Sequence, residues 1–417
     1  MKIAILGAGV IGATTAYMLG KQGHDVTIIE REPEAGMECS FANGGQLHYC
    51  HAEPWASPAI LKKGLKWIFR DDAPLKFRFS SNPTSLSWLL RYINKCNNRS
   101  VLHGTRHLLN LGLYSRDIMH QIEDEIDIDF NHRKDGILHF FKDYESLNSF
   151  KRQSDYQKEL GSPFKTLSRE QCLEQEPALK HIIDEIVGGI YYPYDESGDV
   201  FKFTQAIAEK SKSDHNVKFM YDTTVISIRT ESGKVTAIGT DKGDVTADKY
   251  IICLGTYSSL LLKTIGIKAP IYPLKGYSIS IKTSDKFIAP HTPITDQSGK
   301  IVYSRLGDIL RVAGTAEFAE YDDSVNDVRI NMIKDMVRAT FPYCGDIDNA
   351  EKWACLRPST PDSLPILGKC KYDNLILNTG HGSLGWSHAT GSAKIISDIA
   401  EDKEPEIDIS AMSIDRF

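Results

Sequence analysis

The segment KIAILGAGVIGATTAYMLGKQGHDVTIIE, residues 2–30, restricts the fold more than any other part of the chain. An apolar run from Ile3 to Leu6 leads into Gly7, Gly9 and Gly12 in G-x-G-x-x-G spacing, then a helical stretch, a second apolar run and Glu30. That order predicts a βαβ unit whose first turn cradles a pyrophosphate. Gly7 permits the turn out of the strand, Gly9 lets a phosphate approach the backbone, and Gly12 lets the helix pack closely on the sheet. The helix N-terminus adds free N–H groups and a positive dipole end. Glu30 stands where a carboxylate accepts hydrogen bonds from ribose hydroxyls and repels a 2'-phosphate. The motif leaves FAD and NAD both open.

The remaining composition narrows the partner. With 417 residues, 41% hydrophobic and 25% charged, the chain has room for roughly two or three domains. Its 49 basic and 55 acidic residues give a net charge of −6, which excludes the global positive field of a general nucleic-acid binder and points to a small molecule. Eight cysteines without a C-x-x-C pair or metal-ligand spacing fit a reducing compartment and predict no metal. No apolar run approaches the ~20 residues that span a bilayer, and no targeting segment is expected before the strand at Lys2. The expected location is cytoplasmic, or peripheral on the inner face of the cell membrane.

Along the chain, a Gly/Ser/Asn loop ends near residue 50, and aromatic and basic helical text follows to about 130. Gly136–Phe141 reads as a strand, 144–160 as a charged helix, and Ser168–Leu179 as a short helix stopped at Pro177. Helix is expected over Val200–Ala208, followed by a meander with turns at Ser232-Gly233 and Lys242-Gly243. The apolar run Tyr250–Leu254 before Gly255 reads as a buried strand rejoining the parallel sheet. Residues 271–318 predict an antiparallel sheet of a second domain, and 325–341 an amphipathic helix.

A second G-x-G-x-x-G, Gly380, Gly382 and Gly385, also lies between an expected strand and helix. Only 32 residues follow it, too few for another complete nucleotide unit. At a helix N-terminus such a turn can stabilise negative charge on the N1–C2=O edge of a reduced flavin. An ordinary glycine-rich cap explains the pattern equally well.

ILGAGVIGATTAY, ECSFANGGQ, EPWASP, GDVFKFT, TTVISI, IICLGTYS, PLKGYSI, LRPSTPDSLPILG and TGHGSLGWSHATGSA together resemble the FAD-dependent D-amino-acid oxidase/dehydrogenase superfamily, most closely its bacterial dehydrogenase small subunits. The resemblance runs from end to end and implies an α/β fold: a Rossmann-like GR2 FAD-binding domain interleaved with an α+β substrate domain containing an antiparallel sheet. The expected divisions are 1–55, 186–268 and 345–417 for FAD, and 56–185 with 269–344 for substrate.

By motif, residues 3–17 would hold the pyrophosphate, with Ala8, Val10 and Ile11 beside the three glycines. Glu30 and Arg31 would meet the adenosine, and Val225 the adenine through its backbone. Ser40 with Asn43, Gly44, Gly45, Gln46 and Leu47 would meet the phosphates and flavin ring. Leu254 and Gly255 complete that wall, and Gly380, His381, Gly382, Ser383, Leu384 and Gly385 form the terminal turn. Arg357 falls where the superfamily places a carboxylate-clamping arginine, a role its planar fork suits. Tyr303 and Tyr277 are weaker candidates for further substrate contacts, since a tyrosine in an apolar strand is more often core. Flavin oxidation at Cα requires a neutral amine but no obligatory side-chain base; His48, His51 and His381 lie in the loops concerned, where a histidine is more often hydrogen-bonded than catalytic.

The implied activity is oxidation of a D-amino acid, with hydride passing from Cα to FAD N5, to an imino acid that hydrolyses to a 2-oxo acid and ammonia. Electrons would pass to a quinone. The loop GQLHYCHAEPW and Cys355 depart from the family pattern and point to a narrower pocket for small or cyclic substrates, D-proline or D-alanine. FAD is expected to be non-covalent, although Cys355 lies near the attachment point used by sarcosine oxidases. An oxygen-using glycine- or sarcosine-type oxidase and a subunit of a multi-subunit dehydrogenase are the alternatives. Residues 59–70, AILKKGLKWIFR, combine an apolar helical face with four basic residues, which a membrane surface or an ordinary amphipathic helix would both explain.

Overall fold

The computed structural model describes residues 1–61, 75–77 and 82–417. Most of the 59–70 segment therefore lies outside the described residues. A six-stranded sheet carries the nucleotide motifs, in the order Ile366–Lys369, Leu375–Thr379, Lys249–Ile252, Lys2–Leu6, Asp25–Ile29 and Lys218–Met220. All neighbours are parallel except the first pair. Ile3 to Leu6 are buried, so this strand has apolar residues on both faces, as a parallel sheet between helices requires. Gly7 turns out of it at φ 99°, and the helix Val10–Lys21 begins at Gly9, which offers no side chain to cap it.

Helices Asn98–Glu125, Val200–His215 and Gly385–Ala400 pack on the sheet through cores that include Leu111, Ala208 and Ile395. The expected meander forms the three-stranded sheet Val225–Glu231, Lys234–Thr240 and Gly243–Val245. Ser232 and Gly233 both have positive φ at its first turn, the backbone that a tight hairpin needs.

A nine-stranded, largely antiparallel sheet forms the second layer, centred on Tyr272–Lys282, Ile309–Phe318 and Ile301–Leu306. Gly188–Tyr192 and Glu351–Ser359 belong to this sheet: the first pairs with Ile137–Phe141 and the second with Tyr272–Lys282. The expected divisions at 186 and 345 grouped both with the FAD-binding domain, without reading which sheet they pair into. Local text could not distinguish them, because a strand's partner is set by distant segments. One side of the large sheet holds a core built on Ile279, Val312, Ile330 and Val337. Its other side faces the glycine turns.

Candidate active site

A cavity of about 1390 Å³ runs between the two sheets. Gly7, Gly9, Val10, Ile11, Glu30, Arg31, Ser40, Asn43, Gly44, Gln46, Val225, Leu254, Gly255 and Gly380 through Gly385 all line it. Residues from six separate stretches of sequence thus converge on one elongated space.

At its first end the Glu30 carboxylate accepts hydrogen bonds from Ala8 N at 2.6 Å and Glu32 N at 3.0 Å, tying the second strand to the glycine turn. Ala8 serves through this bond rather than by lining the space. The Ser40 hydroxyl accepts from Val10 N at 3.0 Å and so fixes the following loop against the helix N-terminus. Gly12 lies behind the turn, where a Cβ would strike the Gly7 carbonyl. Arg31 sits over the Tyr257 ring at 4.2 Å and pairs with Glu38.

Gly45 and Leu47 stand behind the lining. Gly45, at φ 71°, donates its N–H to Asn43 Oδ1 at 2.8 Å, while Leu47 is fully buried in a core. Two terminal-motif elements separate as expected: a short 3-10 turn Gly382–Leu384, then the helix Gly385–Ala400 without a side-chain cap. Its positive dipole end points at the cavity wall, where Gly385 and Trp386 line the space.

Arg357 also lines the cavity, on the strand Glu351–Ser359, and shares a narrow recess with His381 and Gly382. Its neighbour across the strand pair is Gly276, paired with Cys355, and a Cβ at Gly276 would come 2.5 Å from Arg357 Cζ. No carboxylate among the described residues lies within 4 Å of the guanidinium. An arginine on a cavity wall without an internal anion is built for an external one. Cys355 beside it is within hydrogen-bonding reach of Cys39, whose thiol also approaches Leu356 O at 3.0 Å.

The two tyrosines part ways: Tyr277 lines the cavity and Tyr303 does not. Tyr303 is fully buried in the core against Phe341, ring centroids 4.9 Å apart, while its neighbour Val302 lines the cavity. The period of two along a strand turns Tyr303 away. Tyr277 contributes to the wall, but its hydroxyl donates to Glu317 Oε2 at 2.6 Å, which commits its only proton.

Sequence reasoning missed Glu53, Gln153, Trp353 and Lys300, which also line the cavity. Glu53 stands in the EPWASP segment without a role read for it, and the other three fall outside the motifs because each comes from a different element. His48 and His51 line it too, with His139 packed behind at 5.1 Å from His51. His48 Nδ1 lies 3.4 Å from the buried Asp195. Burial pushes His51 and His381 down to about 3, so both rings are neutral near pH 7.

The comparisons with known proteins agree with this geometry. The family model described as FAD dependent oxidoreductase matches residues 2–399. Two proteins named D-amino acid dehydrogenase are similar throughout. The one from Rhizobium johnstonii is 40% identical over 417 residues, covering 100% of both chains. That from Paramagnetospirillum magneticum is 41% identical over 418 residues, covering 100% of this chain and 99% of its own. Among solved structures, glycine oxidase from Geobacillus kaustophilus superimposes with TM-score 0.78 at 22% identity, covering 100% of this chain and 98% of that one. L-proline dehydrogenase from P. horikoshii gives TM-score 0.78 at 19% identity, covering 100% and 97%. These two likenesses concern the fold, an α/β dinucleotide-binding layer against a largely antiparallel sheet. The cavity fits an extended dinucleotide: two helix N-termini without side-chain caps and close-packed glycines line it, and the Arg357 guanidinium lies near the second of these turns. With its family model spanning nearly the whole chain, the protein belongs to the FAD-dependent oxidoreductases.

Proposed function

We propose that this chain is a D-amino acid dehydrogenase, an enzyme that oxidises the Cα–N bond of a D-amino acid to an imino acid. Water then yields a 2-oxo acid and ammonia. The observation that carries the reading is the Arg357 guanidinium, laid against Gly276 on the cavity wall with no carboxylate partner among the described residues. Gly7, Gly9, Val10 and Ile11 bind the pyrophosphate, Glu30 the ribose, and the terminal turn Gly380–Gly385 the flavin edge. FAD, when bound, supplies the two-electron acceptor for the hydride leaving Cα. Arg357 grips the substrate carboxylate with two parallel hydrogen bonds and so fixes Cα in place. His48, His51 and Glu53 all put side chains on the cavity, which favours small substrates, D-alanine or D-proline.

A membrane quinone is the acceptor we favour. The helix Pro83–Lys95 buries Trp88 and Tyr92 but presents Leu86, Leu90 and Ile93 at 55%, 61% and 44% exposure, spaced along one face. Residues 73–116 contain seven Lys/Arg and no Asp or Glu in a chain of net charge −6, a distribution that suits an anionic surface. No helix among the described residues is long and apolar enough to cross a membrane.

The test is anaerobic mixing of the holoprotein with a panel of D- and L-amino acids. D-isomers are expected to bleach the flavin absorption, and a ubiquinone analogue to restore it faster than oxygen. Peroxide formed at the rate of substrate loss would make the enzyme an oxidase, and bleaching by L-isomers alone would reverse the stereochemical assignment.

A further inference from the structure

We propose that Glu53 is the catalytic carboxylate that takes the proton from the substrate ammonium group, leaving a neutral amine when hydride departs from Cα. The proposal rests on the amino acid oxidation described above. An amino acid arrives near pH 7 as a zwitterion, and its nitrogen lone pair is unusable until one proton has gone. A cavity group that receives it lets the abundant zwitterion react directly instead of the scarce free amine.

Glu53 is placed for that task. It lines the main cavity and also a narrow recess that it shares with Arg357, His381 and Gly382. The recess therefore joins a cation that suits the substrate carboxylate, an anion that suits its ammonium, and the turn assigned to the flavin edge. Gln153 Nε2 donates to Glu53 Oε1 at 2.6 Å and orients the carboxyl group, and Glu53 forms no ion pair with any described residue. A negative side chain held by a neutral amide in a cavity has one unmet need, a cation.

The other ionisable groups on the cavity do not compete equally. Burial pushes His51 and His381 down to about 3, and a base so weak cannot hold an ammonium proton. The same burial raises Glu53, making it a better acceptor than an exposed carboxylate; Lys300, from the turn before Ile301, acts in the opposite direction. Asp143 and Glu145 at the start of the helix Tyr144–Glu159, and His48 on the loop before Glu53, also face the main cavity. None of these three lines the recess beside Arg357.

In the step, an ammonium N–H bond breaks, its electron pair stays on nitrogen, and the proton passes to a carboxyl oxygen of Glu53. Carboxylate and ammonium become carboxylic acid and amine. As the hydride leaves Cα with its electron pair, the nitrogen lone pair completes the C=N bond and an iminium results.

Glu53→Gln keeps the volume and removes the base. At about pH 7 its kcat/KM should fall on the order of 100-fold. Its logarithm should then climb by one per pH unit until the free substrate's ammonium titrates, closing the gap to the parent enzyme, and Glu53→Asp should regain part of the loss. A second readout needs no turnover: α-aminoisobutyrate, which has no Cα–H, should bind the parent holoenzyme with pH-independent affinity above neutrality, but bind Glu53→Gln more tightly as pH rises. Superimposable pH profiles and affinities in an active parent and Glu53→Gln would overturn the proposal alone. A parent holoenzyme inert toward every amino acid would instead overturn the oxidation reading and the proposal with it.

Discussion

The Arg357 guanidinium lies on the backbone of Gly276, so close that a Cβ there would come 2.5 Å from Cζ. Gly276 sits mid-strand, where a glycine weakens pairing and needs another reason to be present. The reason is the flat bed it gives the guanidinium. Gly276→Ala should therefore displace the fork and cost about 1–2 kcal/mol of carboxylate binding, roughly tenfold or more in KM. Steady-state kinetics checks this, with flavin content expected to be unchanged.

Glu30 holds the first turn from beneath through its bonds to Ala8 N and Glu32 N. Glu30→Ala leaves both N–H groups without that acceptor and removes the charge facing the cavity, a loss of about 2 kcal/mol. FAD affinity is expected to weaken on the order of 30-fold. Recovery of free-flavin fluorescence on dilution measures it.

Much of this arrangement was legible in the sequence because local rules set it. The G-x-G-x-x-G turn, Glu30 and the terminal glycines are each fixed by backbone sterics within a short segment, and the structure brings all three to one cavity. Arg357 was identified through family resemblance, and Gly276 beneath it was passed over as part of a strand motif. Tyr303 was misjudged because its orientation depends on pleat phase, which places Val302 on the cavity and Tyr303 in the core. The pairing of Gly188–Tyr192 with Ile137–Phe141 was not legible, because it is a long-range choice. Glu53 lay in the EPWASP segment with no role legible there, because its place in a recess with Arg357 is set by a distant strand.

Acid should unfold the protein early. His51, His381 and His388 are buried, and burial pushes each from 6.5 down to about 3. Their folded pKa lies below the unfolded one, so the stability they contribute is present above about 6.5 and is lost as pH falls toward 3. Each should cost about 1 kcal/mol by pH 5.5. His132 works in the opposite sense. Burial alone would lower it, but Glu123 and Glu196 on either side raise it, so its contribution fades as pH rises past its folded pKa. Urea midpoints of the holoprotein at two pH values test the balance: a clear drop on acidification is expected, and a flat response would contradict it.

If the face of Pro83–Lys95 meets a bilayer, Leu90→Glu should abolish co-flotation with anionic liposomes and leave dye-linked activity in solution intact. Leu90 is 61% exposed, so the change leaves the core untouched. Equal flotation of parent and variant would remove the membrane assignment.

The most direct measurement of the whole account is kcat/KM for a D-amino acid in Arg357→Leu, made on protein that retains its yellow flavin. Losing one side of a bidentate charged pair in a closed cavity should lower it at least 100-fold, or about 3 kcal/mol. An unchanged kcat/KM in the flavin-loaded variant would contradict the claim that Arg357 holds the substrate carboxylate.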